Sequence, residues 1–226
     1  MTAEITLLPH LGNTDVSIAD FTPVMRFASI SPAFVVPADS ELETIDDLVA
    51  AMQAGDTVRV GTTGRGGIWD VAAGGFEQAI GANFTERVPY DGGASIIQAV
   101  LGGHLEVGVL AAPEVQAQAE SGELRVLAIA DDERTAILPD VPTLKESGID
   151  WATRTWFGIA GPAGLPEGQV AALEACLTEA WNTEDYQTFL TNQGYNAAWM
   201  NAADFGEFVE AEDAAFAELL PTIYDN

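Results

Sequence analysis

The residues of this chain with the clearest chemical potential form a glycine-rich loop between an apolar run and a helical pattern. The run Val58–Val60 predicts a buried strand, and the helical pattern begins near Ile68. Between them lie glycines, two threonines and one cation: Gly61, Thr62, Thr63, Gly64, Arg65, Gly66 and Gly67. Glycines let the backbone approach a ligand closely, and the first turn of a helix offers N–H donors that favour an anion. The loop therefore predicts a carboxylate or phosphate seat; the alternative is an ordinary tight strand-to-helix turn.

A second strand-to-helix junction carries the other candidate contacts. Residues 84–89 predict a strand, and the helix that follows has its apolar face at Ile96 and Ile97. The junction residues assigned to the seat are Tyr90, Gly92, Gly93, Ala94 and Ser95. The side chains expected to contact the ligand are Thr62, Thr63, Arg65 and Ser95. Tyr90 either shapes the wall of the seat or packs in the core.

Two well-known phosphate-binding patterns do not fit the first loop. No Gly-Lys-Ser or Gly-Lys-Thr follows its glycines, as a P-loop requires. The glycine spacing also differs from the G-x-G-x-x-G of a dinucleotide site. The loop is therefore interpreted as a seat for a small anion rather than for a nucleotide.

The elements that must position these loops alternate between strands and helices from Pro32 to Ala130. Thr44 and Asp47 resemble a capping box and predict a helix that Gly55 ends. Strands that alternate with helices at this spacing predict a largely parallel sheet covered by helices on both faces. In such sheets ligands bind at the carboxyl ends of the strands, where both glycine-containing loops fall.

The pattern changes after Gly148. A strand at 156–160 precedes a long helix whose predicted packed face contains Val170, Leu173, Leu177 and Trp181. Two further helices are predicted at 184–192 and 202–220, and residues 1–20 are predicted to be irregular. Cys176, the only cysteine, lies on the long helix and is predicted to be packed and inert, and no intrachain disulfide is possible.

The charge balance narrows the range of partners. The chain has a net charge of −27, and Lys145 is its only lysine. The negative electrostatic field of such a chain repels nucleic acid and anionic membranes, which are therefore very poor partners. An acidic, lysine-poor surface suits high salt, where the Debye length shrinks to about 3 Å at 1 M. We therefore infer a halophilic source.

Several site classes lack support in the sequence. His10 and His104 are far apart and neither has a nearby Cys/His cluster, so no metal site and no cofactor are predicted. No apolar run reaches the length of a membrane span, and no signal-peptide pattern follows Met1.

Five stretches of the chain resemble the substrate-binding receptors of tripartite tricarboxylate transporters, also called the Bug family of periplasmic binding proteins. They are residues 20–24, 61–64, 88–103, 138–148 and 156–164. The most specific is Leu138-Pro-Asp-Val-Pro-Thr143, which follows Arg134. Some members place an acidic residue after the strand that corresponds to 105–110, whereas this chain has Leu110-Ala-Ala-Pro113. That difference predicts no pairing with a ligand amino group here.

The resemblance implies an α/β fold of the type II periplasmic-binding-protein kind. Two three-layer αβα lobes joined by crossover strands would hold a small carboxylate between them. Residues 31–150 would form lobe two, and residues 1–30 with 151–226 would belong to lobe one. Family members carry a longer N-terminal part, so lobe one is expected to be incomplete. Residues 1–226 alone are then expected to bind di- or tricarboxylates weakly or not at all.

The implied function is a non-enzymatic, extracytoplasmic receptor for a small organic acid, periplasmic or on the cell surface in its full-length form. Its expected partners are the membrane subunits of the transporter. The alternatives are an enzyme that acts on a carboxylate in the same cleft, a truncated non-binding fragment, or a sensor-type module that binds a protein. No Gly-x-Ser-x-Gly elbow or Cys–His pair supports the enzyme. Asp131 and Asp132 are predicted to end a strand in solvent.

Overall fold

A computed structural model describes residues 1–224, which divide into two compact units. Unit 1 comprises Met1–Ile30 and Thr155–Asn226, and unit 2 comprises Ser31–Arg154. In chain order the strands are β1 (Phe21–Ile30), β2 (Pro32–Pro37), β3 (Arg59–Thr63), β4 (Glu86–Tyr90), β5 (Val107–Ala111), β6 (Leu124–Ile129), β7 (Thr155–Pro162) and β8 (Asn196–Met200). The helices are α1 (Glu4–Leu7), α2 (Ile45–Ala54), α3 (Ile68–Ile80), α4 (Gly93–Leu101), α5 (Ala112–Glu120), α6 (Glu167–Trp181), α7 (Glu184–Asn192) and α8 (Ala202–Tyr224).

Unit 2 is built on a five-stranded sheet in the order β4-β3-β5-β2-β6. β3 is parallel to β4 and to β5, whereas β2 is antiparallel to both β5 and β6. Four strands therefore run in one direction and β2 runs against them. The predicted α/β class is confirmed, and the largely parallel sheet has one reversed strand, β2, which follows β1 of the other sheet after the single residue Ser31.

The two crossovers from β3 onwards place α3 and α4 on opposite faces of this sheet. The chain moves from β3 to β4 on one side, and then from β4 past β3 to β5 on the other. Right-handed crossovers in opposite directions put their helices on opposite faces. The packing agrees, because Phe76 of α3 joins a core cluster with Phe34, whereas Ile96 of α4 joins a second cluster with Val35. Phe34 and Val35 are consecutive in β2, so they point to opposite faces.

The capping box predicted at Thr44 is present. The Thr44 side chain accepts a hydrogen bond from the Asp47 amide, and the Asp47 carboxylate accepts one from the Thr44 amide at 2.8 Å. Gly55 ends α2 in the left-handed conformation, with a φ of 83°. Both ends of α2 are thus fixed by local sequence, as the pattern predicted.

The family-specific stretch around Leu138 has a structural role in unit 2. Arg134 donates to the Glu146 carboxylate at 2.8 Å and to the Pro139 carbonyl at 3.0 Å. Thr143 and Glu146 each accept a hydrogen bond from the other's backbone amide, at 3.1 and 2.8 Å. Thr143 also bridges to Ile129, the last residue of β6. The stretch therefore fastens a loop to β6, the edge strand of the sheet.

Asp131 corrects one prediction. Its side chain is buried, whereas Asp132 is exposed as expected. Ser31 Oγ donates to Asp131 at 2.6 Å, and Arg154 lies 2.9 Å from its other oxygen. Burial raises the pKa of Asp131, and the Arg154 charge partly offsets this. This burial could not be predicted from the sequence, because Ser31 and Arg154 are distant along the chain.

Unit 1 contains a three-stranded antiparallel sheet in the order β7-β1-β8. Trp156 of β7 is fully buried and meets Phe205 of α8 edge-on, with ring centroids 5.2 Å apart. The prediction missed β8, and it wrongly left residues 1–20 irregular. These residues include α1 and two 3-10 helices, and α1 packs against α8. Their short amphipathic turns depend on tertiary contacts with α8 and carry little periodicity of their own.

The predicted long helix is α6, but it does not have the predicted packing. None of its fifteen residues is buried, and Leu173 is 44% exposed. Cys176 is also exposed, so the prediction of a packed thiol is wrong. Helix α6 is attached to β1 through Trp181, whose indole N–H donates to the Phe27 carbonyl at 2.9 Å. An apolar stripe shows which face favours burial, but not whether another element covers it.

Among residues 1–224, no helix is both long and apolar enough to cross a membrane.

Candidate ligand-binding site

The predicted seat lies at the carboxyl ends of two adjacent parallel strands. Thr63 of β3 is paired with Tyr90 of β4, so the loop at 64–67 and the junction at 91–92 leave the sheet side by side, about 4.8 Å apart. From β3 the chain adds β4 on one side and then β5 on the other, and such a switch point opens a crevice at the carboxyl ends of the strands. The structure thus brings the two predicted loops to one edge of unit 2.

Both helices at this edge begin without a side-chain cap. Gly67 precedes α3 and Gly92 precedes α4, and neither has a side chain that could accept from the first N–H groups of its helix. These groups carry the partial positive charge of a helix N-terminus. The arrangement supplies backbone donors where the prediction places an anion.

The glycines of the seat differ in what surrounds them. Gly66 has a φ of 82° and makes the turn in which the Gly67 amide donates to the Gly64 carbonyl at 2.9 Å. Gly64 and Gly92 face open space, because a Cβ added to either would meet no atom within 4 Å. Gly61 is enclosed, since its Cβ would meet Ile96 at 3.2 Å. Two of these glycines therefore leave room at the edge, and Gly61 only permits close packing.

Thr62 faces the interior. It is 1% exposed, and its hydroxyl donates to Asp70 Oδ1 at 3.3 Å. Asp70 also accepts from the Gly66 amide at 2.9 Å and from Arg87 at 3.3 Å. The structure thus gives Thr62 a part in holding the loop, through an aspartate that sequence reasoning missed.

A buried charge network supports this loop from beneath. Arg87 of β4 lies between Asp70 and Glu77 of α3, at 3.3 and 3.5 Å. Burial raises the pKa of Glu77, and the Arg87 charge partly offsets it. Asp70 and Glu77 are seven residues apart on an otherwise apolar helix face, a spacing that could have signalled the pair.

The remaining predicted contacts lie nearer the surface. Thr63 is half-buried, and Tyr90 is half-buried and packs against the core cluster of α4, as the alternative for Tyr90 anticipated. Arg65, Ala94 and Ser95 are exposed, whereas Gly93 is buried. All these ligand contacts stay predictions.

Glu114 is a neighbour of the seat that the sequence analysis did not identify. It lies in the first turn of α5, and a Cβ added to Gly93 would overlap its carboxyl group. The residue is exposed as a whole, but its carboxyl end is partly enclosed, and this desolvation raises the pKa of Glu114. The sequence signal for Glu114 was its position directly after Pro113. The stretch Leu110–Pro113, which was noted for lacking an acidic residue, ends one residue before it. Within residues 1–224, no group of three His, Cys, Asp or Glu residues could hold a metal ion.

Comparison with known proteins gives concordant matches. The family described as "Tripartite tricarboxylate transporter family receptor" matches residues 1–223. A UPF0065 protein from Cupriavidus necator is 29% identical over 192 residues, which cover 84% of this chain and 58% of that protein. A TctC solute-binding protein from Polaromonas, solved without ligand, is 30% identical with a TM-score of 0.85 over 97% of this chain and 76% of that one.

A further solved structure, an R. palustris protein with adipate, is 23% identical with a TM-score of 0.85, covering 99% of this chain and 76% of that one. This likeness supports the type II periplasmic-binding-protein fold. The chain spans little more than half the length of the curated relative that it matches. With the family matched across almost all of its length, this chain belongs to the tripartite tricarboxylate transporter receptor family.

Proposed function

We propose that this chain is the solute-binding part of an extracytoplasmic receptor that captures a small organic carboxylate for a tripartite tricarboxylate transporter. The ligand class is a di- or tricarboxylate, and the seat consists of the loop 62–67 and the junction 90–95. The observation that carries the proposal is the pairing of Thr63 with Tyr90, which brings two uncapped helix starts to one sheet edge.

The chemistry of that edge suits a carboxylate. A carboxylate oxygen accepts several N–H donors at once, and hydrogen bonds to a charged group contribute roughly 1.5–3 kcal/mol each. The open space beside Gly64 and Gly92 leaves room for it. The adipate in the R. palustris structure is a dicarboxylate, which supports this ligand class.

The cellular role follows from the family. Receptors of this family belong to tripartite transporters, so we propose a periplasmic location and membrane transporter subunits as partners. The role is binding rather than turnover, in keeping with the family.

Gly92 offers a direct test of the seat. Its φ of 171° is an extended conformation that any residue adopts, and nothing lies within 4 Å of its would-be Cβ. Gly92→Leu should therefore fill the seat without disturbing the fold. Gly168→Leu, in α6, is the matched control because Gly168 also faces open space.

The assay is calorimetry with succinate, malate, adipate and citrate, in 0.15 M and in molar salt. Because lobe one is expected to be incomplete, we expect weak binding of at least one acid, in the millimolar range. Gly92→Leu should abolish this binding with an unchanged unfolding midpoint, whereas Gly168→Leu should retain it. The proposal fails if no acid binds, or if Gly92→Leu binds as tightly as the unsubstituted chain.

A further inference from the structure

The chain passes between the two compact units at two places, and both are attached to the end of β6 in unit 2. We call residues 31–32, where the chain enters unit 2, the first connection, and residues 153–154, where it leaves, the second connection. The Ala130 amide donates to the Pro32 carbonyl at 2.9 Å, and the Ala130 carbonyl accepts from the Thr153 amide at 2.9 Å. The residue that follows β6 therefore holds the backbones of both connections.

Asp131, the next residue, holds both connections through its side chain. Ser31 Oγ of the first connection donates to one carboxylate oxygen at 2.6 Å, and Arg154 of the second lies 2.9 Å from the other oxygen. Ser31 and Asp131 are buried, with Asp131 only 4% exposed. Hydrogen bonds to a charged group are stronger than neutral ones, and burial removes the competing water. One carboxylate thus joins two segments that are distant along the chain.

Asp131 is faced by one cation and one further carboxylate. The cation is Arg154, and the carboxylate is Asp132, whose amide also donates to Asp131 at 2.7 Å. Asp132 is hydrogen-bonded to Lys145 at 2.6 Å, which lowers the pKa of Asp132. Burial raises the pKa of Asp131, and the Arg154 charge partly offsets this. On acidification, Asp131 therefore binds a proton before Asp132 does.

We propose that the Asp131 carboxylate is a latch on both connections, closed while it is charged and opened by a proton. The protonated side chain can still bond to Ser31, but it no longer carries the charge that holds the Arg154 guanidinium. Since the covalent chain links the units only through these two connections, the latch controls how firmly each link is held to the sheet of unit 2. The inference does not rest on the proposed function, because the latch needs no ligand.

Amide hydrogen exchange of the full 226-residue chain, resolved by residue with NMR, tests the latch. The reporters are the Ala130 and Thr153 amides, whose hydrogen bonds hold the two connections, and the amides of β3 are the internal reference. Asp131→Asn copies the protonated side chain, because it keeps the size and an acceptor oxygen without the charge. Asp132→Asn is the matched control, because it removes the same charge from an exposed neighbour that also contacts Arg154.

At pH 7, we expect Asp131→Asn to increase the exchange rates of Ala130 and Thr153 at least tenfold more than those of β3. Asp132→Asn should change the same ratio less than threefold, because solvent screens its exposed charge. A purely structural role for Asp131 lowers the stability of the whole unit, so it accelerates exchange in β3 to the same extent. A uniform change, no change, or equal effects of the two substitutions would each refute the latch.

The unsubstituted chain gives a second measurement that does not require any variant to fold. After correction for the intrinsic exchange rate, the protection of Ala130 and Thr153 relative to β3 should fall as the pH is lowered from 7 to 5. Asp131→Asn should show no such fall, because its latch is open at both pH values. If the unsubstituted chain keeps its relative protection, or if the variant loses it equally, opening by a proton is refuted.

Discussion

Substitution of Arg87, the cation of the buried charge network, should destabilise the fold strongly. It compensates Asp70 and Glu77, whose side chains are only 5% and 8% exposed, and is itself 20% exposed. Arg87→Met keeps most of the aliphatic volume but leaves both carboxylates without their cation. Removing one partner from a buried ion pair costs about 3–5 kcal/mol. The contacts of 3.3 and 3.5 Å are long, so we expect a loss near the lower end, about 3 kcal/mol at pH 7.

The loss should depend on pH in a defined direction. Burial holds the folded-state pKa of Glu77 above its unfolded value, and removal of Arg87 raises it further. A carboxyl group of this kind binds its proton more tightly in the folded state, so folding stability falls as the pH rises through its folded pKa. Lowering the pH increases the protonated fraction of Glu77 and so reduces the uncompensated charge. Arg87→Met should therefore lose less stability at pH 5 than at pH 7.

Urea denaturation followed by circular dichroism at both pH values measures this difference. Arg59→Met is the matched control, because Arg59 pairs with Glu106 at 2.7 Å but both side chains are about a third exposed. Solvent screening makes such a pair contribute little. Equal losses for the two variants, or an Arg87→Met loss that does not vary with pH, would refute the reasoning.

The remaining predictions address other parts of the chain. Asp131→Ala should lower the free energy of unfolding by about 1–3 kcal/mol, measured by urea denaturation, because Ser31 and Arg154 lose a buried acceptor. Asp132→Ala, at the exposed neighbour, should lower it less. Equal effects would contradict the assigned burial. Gly75→Ala should lower the unfolding midpoint, because the added Cβ would overlap the Trp151 ring, even though alanine favours helices. Gly168→Ala should instead raise the free energy of unfolding by up to about 1 kcal/mol, because Gly168 is helical and faces open space. The exposed Cys176 thiol should react fully with a thiol reagent in the native protein, and protection until denaturant is added would show that α6 is covered.

Local sequence was enough to predict helix ends that are set by glycines or by a capping box. The helical pattern predicted to begin near Ile68 is α3, which Gly67 precedes and which Gly81 ends with a φ of 65°. The capping box of α2 was equally readable, because its two partners are three residues apart. Such features need no knowledge of the rest of the chain.

Features that depend on distant partners could not be predicted. The direction of β2 is invisible in its sequence, because an apolar strand buried on both faces has the same composition in either direction. The burial of Asp131 requires Ser31 and Arg154, which are far from it in sequence. The two loops of the candidate site were identifiable from their glycines. The engagement of Thr62 with Asp70 and the position of Glu114 emerged only from the packing of α3, α4 and α5.

The distribution of cations explains how an acidic chain could still bind an anion. All eight cationic residues lie within the described residues 1–224. Seven of them contact carboxylates or carbonyls of the fold: Arg26, Arg59, Arg87, Arg125, Arg134, Lys145 and Arg154. The eighth, Arg65, is exposed in the loop 62–67 and also has a contact within the protein. With cations so few, anion recognition at this edge would depend on helix N–H groups, which carry positive potential without adding to the ionisable charge.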